Sequence, residues 1–459
     1  MNDAVATTDD AAVPTDDAAT ATEGAGGLID SWPRSHEAWE RTKRSLPGGI
    51  STGLRSAMPP HPLFFEGGAG PRLRDLDGNS YLDYVLGWGP VILGHGHEGL
   101  TRAVAAQLPH GATYGAGHLL EAEVAEMVIE RVPGAQRVLW SNTGSEASQV
   151  ALRVARGATG RDRFVKFGGH YHGWTDTMLL GYRPGPDGEL GLGSRGQLPR
   201  ALQEAAIAPW GDLEAVAELL RTRQFAALFC EPVLCNSGVI APPEGFLEGL
   251  RQLCDETGTV LVFDEVITGF RMSRGGAAEL YGVVPDLVTL AKAVAGGYPL
   301  AAVAGTAELL DATTAGIVHA GTYNGNPVVL AAAKATLEAL DEPGVYEGFE
   351  RHGRDLASGF ARALAAQDVA ATVNQVGPVV QCIVGVPGSR DFEDFLAADQ
   401  AFYDRLLVQL LRRGIFTLPG GRWYISTAHT DADIAATIQA FEGALATALE
   451  DGRPALAQR

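Results

Sequence analysis

Val260-Leu261-Val262-Phe263-Asp264-Glu265-Val266 and, with its lysine 28 residues beyond Asp264, Leu287-Val288-Thr289-Leu290-Ala291-Lys292 are the two runs that decide the fold. Each is short, apolar and rich in β-branched residues, and each ends in an ionisable side chain. In an open α/β sheet, buried strands read as such runs and ligands lie beyond their carboxyl ends. Asp264 and Lys292 are therefore expected at one edge of one sheet. A carboxylate straight after Val-Leu-Val-Phe is costly to bury without a cationic partner. A desolvated lysine has a lowered pKa, which frees its amine for Schiff-base chemistry.

Outward from these runs, residues 110 to about 330 alternate strand-like and helix-like segments, the mark of a mainly parallel sheet. The predicted strands are Val138–Asn142, Phe164–Phe167, Ala226–Pro232, Val260–Glu265, Leu287–Ala291 and Ala301–Gly305. A Gly- and Pro-rich stretch from Gly181 to Gln197 reads as a mobile loop over the site. Before this region, Ser35–Leu46 reads as a helix stopped by Pro47-Gly48-Gly49, and Asp77-Gly78 as a hairpin turn. After it, an Ala/Leu helix from Val328 leads into an α+β part ending in a Trp423–Ser426 strand and an Asp431–Ala448 helix. The expected division is 1–27 an acidic tail, 28–109 an N-terminal segment of a small domain, 110–335 a large domain, and 336–459 the C-terminal α+β part.

Residues 1–27 carry six acids and no basic residue, too polar to offset ordering entropy, and are expected to be disordered. The whole chain of 459 residues is 46% hydrophobic and 20% charged, with a net charge of −20. That excess of acid argues against nucleic-acid binding. No apolar run nears the ~18 residues that span a bilayer, and no signal peptide is visible. Four cysteines form neither a metal spacing nor a disulfide framework. A cytoplasmic enzyme without a metal is the expectation.

Several turns carry chemistry. Leu139-Trp140-Ser141-Asn142-Thr143-Gly144-Ser145-Glu146 runs from a strand into a helix whose free N–H groups, with Thr143 and Ser145, make a phosphate cup; a plain helix cap is the alternative. Gly169-His170-Tyr171-His172-Gly173-Trp174 puts aromatic rings where one could stack on a planar cofactor, or form a tight turn with no ligand. Asn236 stands after another strand, and Glu231 before Pro232 reads as backbone support. A lysine paired with a carboxylate is what pyridoxal phosphate chemistry uses. Two other readings stand beside it. Gly94-His95-Gly96-His97-Glu98-Gly99 matches a dinucleotide fingerprint without its βαβ surroundings. The pairs His95/His97 and His170/His172, with Asp264, suggest a zinc hydrolase. An idle scaffold of the same fold is the third possibility, against which Lys292 and Asp264 both stand.

Taken together, Asn142–Ala147, Tyr171-His172-Gly173, Asp264-Glu265-Val266 with Gly269-Phe270-Arg271, Pro285-Asp286-Leu287 with Lys292, and Gly321-Thr322 with Gly325-Asn326-Pro327 resemble the class III pyridoxal-phosphate aminotransferases of fold type I. The likeness runs from Leu46 to the final helix and is nearest the branch of glutamate-1-semialdehyde 2,1-aminomutase and D-phenylglycine aminotransferase. It implies a seven-stranded, mainly parallel sheet between helices, a smaller α+β domain from both chain ends, and a homodimer. It implies that Lys292 holds the cofactor and carries the proton, and that Asp264 pairs with the pyridine nitrogen. Gly144 and Ser145, with Thr143, would bind the phosphate, joined by Thr322 from the neighbouring subunit. Tyr171 would stack on the ring, and Asn236 would lie near its phenolic oxygen. Arg55 would take a substrate carboxylate and Trp88 would wall the pocket, with His172 and Arg422 also on the substrate side. Where the aminomutase has a glutamate before Ala-His-Thr, this chain has glycine in Pro419-Gly420-Gly421-Arg422-Trp423. The Gly181–Gln197 loop departs too. Both features depart from the aminomutase, whereas Tyr171-His172-Gly173-Trp174 and the Gly- and Arg-rich C-terminal stretch resemble aminotransferases acting on aryl or β-amino acids. A ping-pong transfer is expected, with intramolecular amino exchange as the alternative.

Overall fold

The computed structural model describes residues 28–185 and 188–457; the acidic tail and two residues of the Gly181–Gln197 stretch lie outside them. Three sheets organise the described chain. Strands β1 (Phe65–Ala69), β2 (Arg72–Asp75) and β3 (Ser80–Asp83) form an antiparallel meander, with Asp77-Gly78 in the β2–β3 turn. The large sheet contains β4 (Arg137–Ser141), β5 (Arg163–Phe167), β6 (Ala205–Ala208), β7 (Phe225–Cys230), β8 (Val260–Asp264), β9 (Leu287–Leu290) and β10 (Ala301–Gly305). The C-terminal part adds β11 (Ala371–Val376), β12 (Val379–Val384), β13 (Ile415–Phe416) and β14 (Arg422–Tyr424). Of these, β13 pairs with β3, and β11, β12 and β14 form a small sheet, so the two chain ends are built together.

The seven-stranded order is β4-β10-β9-β8-β7-β5-β6, and only β10 runs against its neighbours. This is the mixed α/β, mainly parallel architecture. Strands β7, β8, β9 and β10 are buried at every position, as continuous apolar runs require when helices cover both faces. The edge strand β6, Ala-Ala-Ile-Ala, is absent from the sequence reading because alanine favours helix over strand. The first helix, Pro33–Thr42, stops a turn earlier than predicted and continues as a hydrogen-bonded turn toward Leu46.

Two helices matter for the site. Gly144–Thr159 starts at Thr143, whose hydroxyl accepts from the Glu146 N–H, while the Glu146 carboxylate accepts in return from the Thr143 N–H. Its buried face, including Ala147, Ala151 and Val154, lies on the large sheet. Pro327–Leu340 starts at Asn326, whose side chain caps Val328 and Val329. Among the described residues no helix is long and apolar enough to cross a membrane.

Candidate active site

The C-terminal ends of β4, β8 and β9 bring their following residues to one cavity of about 280 Å3. Trp88, Thr143, Gly144, Ser145, Tyr171, His172, Asp264 and Lys292 all line it. A smaller space shares Tyr171, Asp264 and Lys292 and adds Glu231 and Asn236. The sheet edge thus gathers most of the residues singled out in the sequence. Three of the predicted site residues line neither space: Arg55, exposed on the four-residue helix Gly53–Ser56, Thr322, exposed before Pro327–Leu340, and Arg422, which lies behind the lining.

Asp264 is 3% exposed. Its Oδ1 accepts from the Val266 N–H at 3.0 Å, and its Oδ2 lies 2.6 Å from His172 Nδ1. Burial pushes its pKa up to about 6, the ordinary response of a carboxyl group removed from water. A cation placed beside it would favour the ionised form. Lys292 lies in a left-handed turn after β9, φ 46°, a conformation that a non-glycine residue holds only where its surroundings fix it. Its amine is pulled down to about 8 by burial and then by the positive charge of Arg422.

The sequence reading put His172 on the substrate side; it lines the cavity, with its ring buried and bonded to Asp264 through Nδ1. It positions that carboxylate, while its Nε2 has no partner. The other histidines of the two pairs have separate tasks. His95 is 2.7 Å from Asp83, His97 caps the helix Glu98–Gln107, and His170 Nδ1 accepts from the Glu231 N–H. They do not gather into one ligand set.

Glu231, read from sequence as backbone support, does more. Its carboxylate accepts from the Tyr171 N–H at 2.6 Å and from the Asn236 side-chain amide at 3.0 Å. Asn236 Oδ1 in turn accepts from Arg422 Nη1 at 3.2 Å, so both ends of its amide are held. Burial raises Glu231 to about 7. Arg422 therefore stands behind Asn236, half-buried, with a second bond to the Cys235 carbonyl. Glu231 and Asn236 are five positions apart, but the links to Tyr171 and Arg422 span 60 and 186 positions, beyond any local signal. Behind Tyr171 stands the Tyr182 ring at 4.9 Å, brought there by the Gly- and Pro-rich stretch.

The residues fit pyridoxal phosphate on structural grounds. The start of Gly144–Thr159 leaves first-turn N–H groups without intrahelical partners beside the Thr143 and Ser145 hydroxyls, as an oxyanion needs. Gly144 and Gly173 keep that cup open. A Cβ on Gly144 would meet Val266 at 3.1 Å, and one on Gly173 would meet Ser145 Oγ at 2.6 Å. A buried carboxylate, an aromatic face and a lysine complete the lining.

The sequence of residues 55–445 matches the family model for aminotransferase class-III. The chain belongs to the class-III aminotransferases. It is 39% identical over 421 residues to a glutamate-1-semialdehyde 2,1-aminomutase of Desulfatibacillum aliphaticivorans, covering 90% of this chain and 99% of that one. In structure it is similar to an omega-transaminase from Sphaerobacter thermophilus, with a TM-score of 0.85 and 31% identity over 90% of this chain and 97% of that one. A transaminase with PLP bound superposes equally well, TM-score 0.85 at 28% identity over 92% and 100% of the two chains. This class-III aminotransferase is accordingly a pyridoxal-phosphate enzyme of fold type I, in a family that holds both aminotransferases and aminomutases.

Proposed function

We propose that this enzyme moves an amino group from a carboxylate-bearing amino compound to a keto or aldehyde acceptor in two half-reactions. The observation that carries this reading is the set of acids in the lining. They are Asp264 and Glu231, and both are already engaged, by His172 and Val266 in one case and by Tyr171 and Asn236 in the other. Among the described residues no further carboxylate lines the two spaces to receive a second amine. At the position where an acid is missing, Gly421 has φ 88° and stands so close to the Cys382 carbonyl that a side chain has no room.

When bound, pyridoxal phosphate supplies an electron-withdrawing ring that stabilises negative charge on a carbon losing its proton. In the proposed scheme the chain's own residues do the rest. Lys292 Nζ would hold the cofactor and would serve as the base that takes and returns a proton. Asp264, bonded to His172, would keep the cofactor ring protonated. Gly144, Ser145 and Thr143 would hold the phosphate, and Tyr171 and Asn236 would hold the ring. Trp88 closes the substrate side, and Arg422 acts there through Asn236.

The proposed assembly is a homodimer in which Thr322 completes the phosphate site of the other copy and Arg55 meets a substrate carboxylate only in the assembled enzyme. The proposed setting is the cytoplasm, in keeping with four buried, unpaired cysteines.

A second reading has support in the 39% identity to an aminomutase. Protein loaded with pyridoxal phosphate, beside Lys292→Ala, decides between them when a panel of amino compounds is added with and without a keto acid. A visible band lost to one donor and restored by a keto acid supports transfer. Turnover of an amino aldehyde with no keto acid present sinks it in favour of exchange.

A further inference from the structure

We infer that Arg271 is a specificity-determining positioning residue of this cavity: it pins the Gly87–Pro90 wall and, with Arg422, leaves that wall an uncompensated positive field. The site then accepts an amino compound with an anionic group on the wall side and turns away one with a second ammonium group there. The inference rests on the aminotransferase reading above and narrows its substrate class.

Arg271 is fully buried. Its Nε donates to the Ile267 carbonyl at 2.9 Å, and its Nη2 donates to the Gly89 carbonyl. One end of the guanidinium thus holds the segment that follows Asp264, and the other holds the turn whose Gly87, Trp88 and Pro90 line the cavity. The distance between wall and floor is fixed by this one side chain. The turn needs such a hold, because Trp88 has φ 75°, a conformation that persists only where its surroundings over-determine it. Gly89 permits the approach, since a Cβ there would stand 3.2 Å from the Tyr424 ring.

The charge is the second half of the argument. Arg271 and Arg422 flank the Tyr424 ring, their guanidinium carbons 5.1 Å and 5.4 Å from its centre. Among the described residues their bonds go to carbonyl and amide oxygens, and neither forms an ion pair. Arg271 Nη1, Arg422 Nε and the Tyr424 hydroxyl are all buried without a partner. Glu231 reaches Arg422 only through the Asn236 amide, and burial leaves it with a pKa of about 7, so it is a weak counter-charge. Both arginines also help to depress Lys292. Charges buried without partners act over longer distances than charges in water. A second ammonium group would lose its water beside two like charges, whereas a carboxylate would gain two.

The test uses the cofactor-loaded enzyme and three donors of one length, 3-aminopropanoate, 3-aminopropanamide and 1,3-diaminopropane, whose far ends are anionic, neutral and cationic. The readout is the concentration of each that half-maximally bleaches the visible band in the absence of acceptor, alongside the limiting bleaching rate. In the wild type these concentrations rise from anion to neutral to cation, by about tenfold or more between the extremes. Arg271→Met, with its visible band retained, narrows that spread by about tenfold. Arg271→Lys keeps the charge but not the two-ended hold, so it keeps the spread while its limiting rate falls. Equal half-saturation by all three donors in the wild type overturns the inference, and so does an unchanged spread in folded Arg271→Met. If Arg271→Met does not fold, Arg422→Met in an Arg55→Ala background decides, and a spread that it leaves unchanged overturns the inference. A wild type bleached by no amine in a broad panel defeats the aminotransferase reading itself.

Discussion

On the floor of the cavity, Asp264 has one oxygen on the Val266 N–H and the other on His172, and Glu231 is bonded to Tyr171 and Asn236. On the wall, Arg271 Nη1, Arg422 Nε and the Tyr424 hydroxyl have no partner. The floor stands on the ends of strands buried on both faces; the wall is a turn and a C-terminal strand drawn from the two chain ends. A floor with its acids already satisfied before a substrate arrives suits one fixed cofactor. The two arginines line neither space, so they act on a substrate through their charge and through the turn they hold, not by direct hydrogen bonds. Chemistry and specificity are therefore expected to respond to different substitutions.

The hardest test of the floor is Lys292→Ala. Loss of both the proposed attachment point and the proposed proton carrier is expected to abolish the cofactor's visible band and lower turnover by about 10⁴-fold or more. A single-turnover assay that retained a tenth of wild-type activity would show that the base lies elsewhere. Asp264→Asn comes next. Removing the one charge proposed to stabilise the cofactor ring is expected to lower turnover about 10²- to 10³-fold, with the fold intact by circular dichroism. An equal loss in Arg422→Met would erase the distinction between floor and wall.

The two runs that ended in Asp264 and Lys292 were legible because burial on both faces forces a continuous apolar strand, and a charge at its end has few uses besides chemistry. The turn from β4 into the helix Gly144–Thr159 was legible for a similar reason, as a strand-to-helix turn has a fixed geometry. What sequence could not supply were contacts between distant segments. His172 finds Asp264 across 92 positions, and Arg422 finds Asn236 across 186. Arg271 stood in a recognised motif, Gly269-Phe270-Arg271, yet nothing local says that its guanidinium spans to Gly89. Strand β6 was missed for a different reason, since its alanines carry no strand signature at all.

The coupling of wall to floor can be read through pH. Lys292 is ammonium below its depressed pKa of about 8 and a nucleophilic amine above it. The rate at which cofactor-free protein captures pyridoxal phosphate is therefore expected to rise as pH passes through about 8 and then to level off. Arg422→Met removes a like charge that helps to depress Lys292, so the midpoint moves to higher pH. Stopped-flow absorbance across a pH series measures both. A midpoint unmoved by the substitution would mean that burial alone sets this amine and that the wall does not reach it.

Arg55 gives the smallest effect and the sharpest limit on the wall. It is exposed, outside the cavity of its own chain, and among the described residues its guanidinium has no ion-pair partner. An exposed arginine gains little from a carboxylate in water, but one that meets it where a second subunit excludes solvent gains a charge-assisted hydrogen bond of ~1.5–3 kcal/mol. If the proposed dimer forms, Arg55→Ala is accordingly expected to raise KM for carboxylate-bearing donors about tenfold and to leave kcat nearly unchanged. The neutral amide of the same donor should show no such rise, because the lost interaction is with the charge. An unchanged KM for both would assign carboxylate recognition wholly to the wall built by Arg271, Arg422 and Tyr424, and would make specificity a property of one chain rather than of the assembled pair.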